Sequence, residues 1–329
     1  MKFPLFDRAT LKIKPLAERE HDLDMSIITN LNSIRVPDIN KGIQEIAKRI
    51  IRAKENESAI ILMFGAHVIR SGVQNYIIDL MERGYISCIS TNGASIIHDF
   101  EFAMIGTTTE NVARYIKQGQ FGLWKETAQL NDIINQAYIK DDTIGMGEAV
   151  GGYIQESDLP YKSISILAAA SRLDIRVTVH VGVGYDIIHE HPNCNGAATG
   201  ALSYNDFLKF VSIVQNLENG VVMNFGSAVT GPEVFLKALS MARNVAHQQG
   251  KKIDNFTTLV CDLVKLPKNI QKEPSTDDPA YYFRPWKTLL IRTVADGGES
   301  FYVRGKHAQT IPGLWASINE MEAKIGKSG

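Results

Sequence analysis

Lys287 stands beside Trp286 at the head of an apolar run, "PWKTLLIRTV". Lysine is among the residues least often fully buried. Apolar walls disfavour the ammonium form, and a lysine pKa then falls from its usual value of about 10.4. The neutral amine is a nucleophile able to attack an imine. A second arrangement is open. Lys287 can lie at a strand edge, its stem along Trp286 and its head in water.

The densest polar cluster is "HVGVGYDIIHEHPNCNG", residues 180–196, with His180, Asp186, His189, Glu190 and His191. A His-x-His pair shares a face on a strand. Neither HExxH nor a cysteine pair accompanies it, so no metal is expected. The cluster reads as a polar ligand loop in which Asp186 or Glu190 meets a cation, or as capping and hydrogen-bonding histidines.

Three further stretches put small or polar residues where strands end. "FGAHVIRSG" has Gly65, Ser71 and Gly72 around a helix start, where a dinucleotide phosphate meets free N–H groups. It lacks GxGxxG and is equally an ordinary turn. "STNGASIIHD" has Thr91, Asn92 and Gly93, small enough for close backbone approach to a ligand, or simply an Asn-Gly turn. "NFGSAVTGPEVF" has Gly226 and Ser227 before a helix whose first turn holds Glu233. That carboxylate complements the helix dipole or binds an ammonium group.

The elements that must position these residues are six strand-length apolar runs, at 59–64, 85–90, 175–181, 220–225, 256–261 and 287–294. Segments with helical spacing lie between them, at 72–84, at 204–220 with its start at Ser203, and at 231–250. Residues 141–154 read as a helix with loose glycines. Alternation of this kind implies an α/β fold: a doubly wound, mostly parallel six-stranded Rossmann-like sheet with helices on both faces. Ligands then bind beyond the carboxyl ends of the strands. Residues 1–40, with "LKIKPL" and "SIRVPDIN", read as an arm, and 41–325 as a single domain. Residues 264–285 form a long polar loop, a length usually tied to function or flexibility.

The chain has 329 residues and a formal charge of −1, which argues against a general nucleic-acid binder. Three separated cysteines, no long apolar core near the start and no run long enough to span a bilayer lead to the expectation of a cytoplasmic protein without a membrane partner.

In this order the strand-end residues resemble the deoxyhypusine synthase family, over roughly residues 40–320. "GAHVIRSG…STNGASIIHD" resembles that family's NAD-holding segment, which matches Ser71, Gly72, Thr91, Asn92 and Gly93 to cofactor contacts. "MNFGSAV" places Gly226 near the cofactor, and Asp186 falls on an acidic substrate position. "PWKT" is similar to the family's Trp-Gly-Lys, whose lysine forms an imine with the transferred aminobutyl group, so the resemblance makes Lys287 catalytic. It implies an NAD-dependent transferase. Asp186, Glu233, Asp277, Asp278 and Trp286 would bind a polyamine such as spermidine, with an amine or protein acceptor and a homotetramer. The family's histidine–asparagine pair has no counterpart in "SAVTGPEVFLKA", and "STDDPAYYF" replaces its GSDSG loop. The alternatives are an NAD-binding module of the same fold without transfer, and a metal hydrolase using the 180–191 histidines.

Overall fold

The structure, a computed structural model, describes residues 3–31 and 39–325. In chain order the elements are β1 (Leu23–Asp24), α1 (Lys41–Glu55), β2 (Ile60–Phe64), α2 (Gln74–Glu82), β3 (Cys88–Asn92) and α3 (Gly93–Ile105). Then come β4 (Thr107–Thr108), α4 (Val112–Lys117), α5 (Gln129–Lys140), α6 (Met146–Glu156), α7 (Ile166–Arg172) and β5 (Arg176–His180). The chain continues through α8 (Gly196–Val214), β6 (Val221–Phe225), α9 (Thr230–Gln248), β7 (Thr257–Asp262), β8 (Glu299–Arg304) and α10 (His307–Ile325).

Six strands form one parallel sheet in the order β5-β3-β2-β6-β7-β8, the doubly wound arrangement. The order reverses between β2 and β6. Every residue of β2 is buried because both faces are covered. Ile60, Leu62 and Phe64 face one apolar layer, which includes α1, α3, α6 and α10, while Ile61 and Met63 face the layer of α8 and α9. In α1, Ile43, Ile46, Ala47 and Ile50 make the buried stripe, and Asn40 caps the helix by accepting from the Gly42 N–H at 2.8 Å.

The expected arm packs on the domain through several elements. β1 pairs antiparallel with β4, and Leu16 is buried with Tyr115 and Trp124. Most of "SIRVPDIN" lies outside the described residues. Among the described residues no helix is long and apolar enough to cross a membrane.

Four element assignments from the sequence need correction. Residues 287–294 are not a strand: Trp286–Ile291 is a π-helix, followed by a 3-10 turn at Arg292–Val294. A short apolar run does not distinguish a buried strand from a buried helix. Side chains from the adjoining strands β7 and β8 donate to carbonyls of the π-helix. Thr258 Oγ1 donates to the Leu289 carbonyl at 2.8 Å, and Ser300 Oγ to that of Leu290 at 2.7 Å. The sixth strand is instead β8, an edge strand in which only Val303 is buried.

The second strand lies a little later than 85–90, at Cys88–Asn92. Helix α8 begins at Gly196, capped by Asn195, not at Ser203. Ser203 lies inside the helix and ties it to β5, its Oγ donating to the Val179 carbonyl at 2.9 Å and accepting from the Val181 N–H at 3.1 Å. Asp206 caps a different helix, α6, by accepting from the Gly147 N–H at 2.9 Å. Its carboxylate fits because Gly145 has no side chain: a Cβ there would lie 1.9 Å from Oδ1. That cap sets the start of α6 at Met146, later than 141.

Candidate functional site

The reversal of strand order between β2 and β6 places two glycines face to face. Gly65 donates to the Phe225 carbonyl at 3.1 Å, and Gly226 to that of Cys261 at 3.1 Å. A Cβ on Gly65 would come within 2.7 Å of the Gly226 carbonyl. Gly226 has φ of 66°, and a Cβ there would meet His307 Nε2 at 2.5 Å. At the crevice that such a reversal makes, both positions are therefore held to glycine by close packing, Gly65 by the Gly226 carbonyl and Gly226 by the His307 ring. His307 opens α10, directly beyond β8, and its Nδ1 is buried without a hydrogen-bond partner. Burial holds its pKa below the ordinary histidine value, against the pull of Asp262.

Beside the crevice, Thr91 Oγ1 donates to the Phe64 carbonyl at 2.9 Å and locks the ends of β2 and β3 together. Ser227 Oγ accepts from the Gly231 N–H at 2.8 Å and shapes the entry to α9. β3 passes into α3 with no intervening residue. Asn92 ends the strand and also caps the helix, its Oδ1 accepting from Ser95 N–H at 3.0 Å and Ser95 Oγ at 2.9 Å.

Asp186 reaches the same corner from the loop after β5. Its Oδ2 lies 2.0 Å from where a Cβ on Gly93 would stand. Burial pushes its carboxyl pKa up to about 6, against the Ala94 N–H, which favours the ionised form. His189 holds this loop: Nδ1 accepts from the N–H groups of Gly184 and Asp186 at 3.2 and 3.3 Å.

Asp186 lines a cavity of about 230 Å³ that Arg70, Ile97, Phe121 and Arg19 also border. Two polar atoms of its lining are buried without a partner, Arg70 Nε and Thr109 Oγ1. Thr109 has φ of 68°, a backbone that a β-branched residue rarely adopts. Under the cavity, Arg19 and Glu101 form a buried two-pronged ion pair at 2.9 and 2.7 Å. The Thr108 and Thr127 hydroxyls donate to the same carboxylate at 2.6 and 2.7 Å. Burial alone would raise Glu101; Arg19 and the two hydroxyls outweigh it and hold the carboxyl below its ordinary value. With Thr108 donating to Glu101, its oxygen receives His98 Nδ1 at 2.7 Å. Burial drives the His98 pKa down to about 4, so the ring is neutral.

Gly65, Thr91, Asn92, Gly93, Gly226 and Ser227 thus converge at the carboxyl ends of the strands. Ser71 and Gly72 do not line that crevice. Ser71 Oγ donates to the His67 carbonyl at 2.6 Å, and a Cβ on Gly72 would strike the Ile27 carbonyl at 1.9 Å, because the arm packs there.

Lys287 is 3 % exposed, with Nζ 3.5 Å from the centre of the Tyr281 ring. Trp286 is buried and donates from Nε1 to the Ile270 carbonyl at 2.9 Å. Both belong to the π-helix, which packs on β7, β8 and α9. β3, which leads to the Asp186 corner, and β7 are separated by β2 and β6, about 14 Å at ordinary strand spacing. Glu233 pairs with Lys237 and Arg284. Asp278 caps a 3-10 turn through the Ala280 N–H at 2.8 Å, and Asp277 is exposed beside Ser275. The five proposed amine-binding residues therefore do not share one pocket.

His180 Nε2 lies 3.1 Å from Thr178 Oγ1, and His191 Nε2 2.8 Å from the Gly122 carbonyl. Burial drives the His180 pKa down to about 4 and also lowers that of His191. Among the described residues no group of three or more His, Cys, Asp or Glu converges on a point where a metal would sit.

A profile of the domain described as "Arginine dihydrolase ArgZ-like, C-terminal, Rossmann fold" matches residues 44–156. No curated protein matches the sequence. Among solved structures, an AgrE mutant in complex with L-arginine superposes with a TM-score of 0.51 at 13% identity, over 88% of this chain and 34% of that one. AgrE with ornithine and NAD+ gives 0.49 at 12% identity, over 88% and 35%. A protein of Entamoeba histolytica named for deoxyhypusine synthase gives 0.41 at 12% identity, over 85% and 87%. The chain spans about a third of the length of AgrE. The likeness is one of fold, Rossmann-like, and to deoxyhypusine synthase it is distant.

His307, Arg70, Thr109 and His98 are not marked as site residues by the sequence alone. His307 was hidden because the strand before it was not anticipated. Arg70 lies inside the quoted "FGAHVIRSG", but an unpartnered nitrogen has no sequence signature. His98 lies inside "STNGASIIHD" and would follow from placing that segment on a helix entering the crevice.

Proposed function

We propose that this chain binds NAD across the carboxyl ends of β2, β3 and β6 and serves as the cofactor-holding part of a hydride-transferring enzyme. The observation that carries this is the pair Gly65 and Gly226, meeting where the order of a parallel sheet reverses. Ligands of doubly wound folds bind in the crevice at that reversal, beyond the carboxyl ends of the strands. Bound there, NAD would supply a two-electron acceptor. The chain's own residues shape the site: Gly65 and Gly226 let the ends of β2 and β6 pack closely, and Thr91 fixes the spacing of the β2 and β3 ends. His307, with a free ring nitrogen, stands on the β6 side. AgrE, about a third of whose length superposes on this chain, has been solved with ornithine and NAD+.

Isothermal titration with NAD+ and NADH tests the reading. Saturable binding at micromolar to low millimolar concentration is expected. Absence of binding by NAD(H) and NADP(H) alike refutes it.

Aminoalkyl transfer through Lys287 is a second reading, favoured by one observation: the lysine is 3 % exposed, with its amine against an aromatic face. Incubation with NAD+ and spermidine followed by borohydride would leave a mass adduct on Lys287, absent in Lys287→Ala. No adduct on the wild-type chain excludes it.

A further inference from the structure

We propose that the cavity on the β3 side of the crevice receives the adenosine end of the dinucleotide, and that Asp186 is the carboxylate that accepts from the ribose hydroxyls and selects NAD over NADP. The inference rests on the dinucleotide reading above. It moves Asp186 from the substrate to the cofactor.

In doubly wound dinucleotide sites the ribose carboxylate stands at the end of the second strand of the first half. Here that position is Asn92, and its amide oxygen already receives two donors from Ser95. The function therefore falls to another residue or is missing. Asp186 fills the same corner from the neighbouring strand's loop, its Oδ2 only 2.0 Å from the site of a Gly93 side chain. Any residue but glycine at 93 would evict it. His189 fixes the loop through the Gly184 and Asp186 N–H groups, so the carboxylate is held in place without a ligand.

The cavity suits one end of the cofactor. At about 230 Å³ it is smaller than the roughly 300–1,000 Å³ typical of sites for drug-sized ligands, too small for a whole dinucleotide. Ile97, Val112, Phe121 and Ile187 offer apolar walls to a base. Arg70 comes from the turn after β2, the side on which the pyrophosphate would lie, and its Nε is buried without a partner. Thr109 adds a second unpartnered hydroxyl on a strained backbone, a combination that collects at ligand sites. A 2′-phosphate would set a dianion against the Asp186 carboxylate, whereas two ribose hydroxyls would donate to it.

Titration calorimetry on the full chain with NAD+, NADP+ and ADP-ribose tests the proposal, using wild type, Asp186→Asn and Asp186→Glu, with circular dichroism to check folding. Wild type should bind ADP-ribose and prefer NAD+ over NADP+ at least tenfold. Asp186→Asn should weaken NAD+ about tenfold and bring the two dinucleotides to near parity, and Asp186→Glu should restore part of the preference. NAD+ binding that is unchanged in Asp186→Asn, or a wild-type preference for NADP+, overturns the inference while leaving the dinucleotide reading intact. So does NAD+ binding without ADP-ribose binding. Failure of the wild type to bind any of the three overturns both.

Discussion

Replacing Arg19 with alanine should reverse the pH dependence contributed by Glu101. In the native chain the guanidinium meets Glu101 at 2.9 and 2.7 Å, and both side chains are 1 % exposed. Removing one partner of a buried pair strands the other charge, which costs roughly 3–5 kcal/mol. The Thr108 and Thr127 hydroxyls remain as donors to Glu101, which argues for the lower end. Loss of the Arg19 contact over the Trp124 ring, at 5.9 Å, adds a few tenths to about 1 kcal/mol.

The sign follows from which cause survives. With Arg19 present, the folded-state pKa of Glu101 lies below its ordinary 4.5, so its contribution is present above that value and lost as pH falls through the folded one. Without Arg19, burial dominates and the folded pKa rises above 4.5. Stability is then lost as pH increases through the new value. The deficit of Arg19→Ala relative to wild type should be about 3–5 kcal/mol at pH 7.5 and clearly smaller at pH 5, by urea denaturation followed by circular dichroism. The double variant Arg19→Met with Glu101→Met should cost less than Arg19→Ala alone. A deficit under about 1 kcal/mol at pH 7.5, or one equal at both pH values, would refute this account of the pair.

Two other perturbations probe the scaffold. Burial pushes the Asp206 carboxyl up to about 7 from an ordinary 3.8, so its stabilising contribution is complete below 3.8 and lost as pH rises through about 7. Asp206→Asn should flatten the stability profile between those values, and parallel profiles for variant and wild type from pH 4 to 8 would contradict this. Trp286→Phe deletes the 2.9 Å hydrogen bond to Ile270 and should cost about 1 kcal/mol. It should also speed proteolytic cutting within residues 264–285, and an unchanged cutting rate would mean that the indole does not anchor the loop.

The central strands were legible because burial on both faces writes an unbroken apolar run, as in "IILMF" of β2. The same logic misled at 287–294, where a buried π-helix has an identical signature and the true edge strand, half-covered, lacks it. Gly65 and Gly226 could be read as strand-end glycines, and the crevice follows from topology. Gly72 could not be sorted from them, since the Ile27 carbonyl beside it comes from more than forty residues away. Nor could the positive φ of Thr109, which has no glycine or asparagine to announce it. Lys287 was expected to be dry from its neighbours and is, although it is helical and stands under Tyr281.

At the junction of β3 with α3 the residue at the usual ribose-carboxylate position is an asparagine engaged as a helix cap. When a strand runs straight into a helix, one residue must both end the strand and cap the helix. A cap must accept from the first-turn N–H groups, and Asn92 does so through Oδ1. Its remaining amide group is a donor, the wrong polarity for a ribose hydroxyl proton. An aspartate at 92 could cap through one oxygen and leave the other as an acceptor; this chain has asparagine there, so the position offers a donor instead. Placing glycine at 93 separates the two tasks: it opens space for a carboxylate from a different strand, and the cap stays intact. Asn92→Asp should therefore leave helix α3 formed while setting a second negative charge beside Asp186. The Asp186 pKa would rise further, and NAD+ affinity would fall as pH decreases toward 6 more steeply than in the wild type. An unchanged pH dependence of binding would mean that the two side chains do not share the corner.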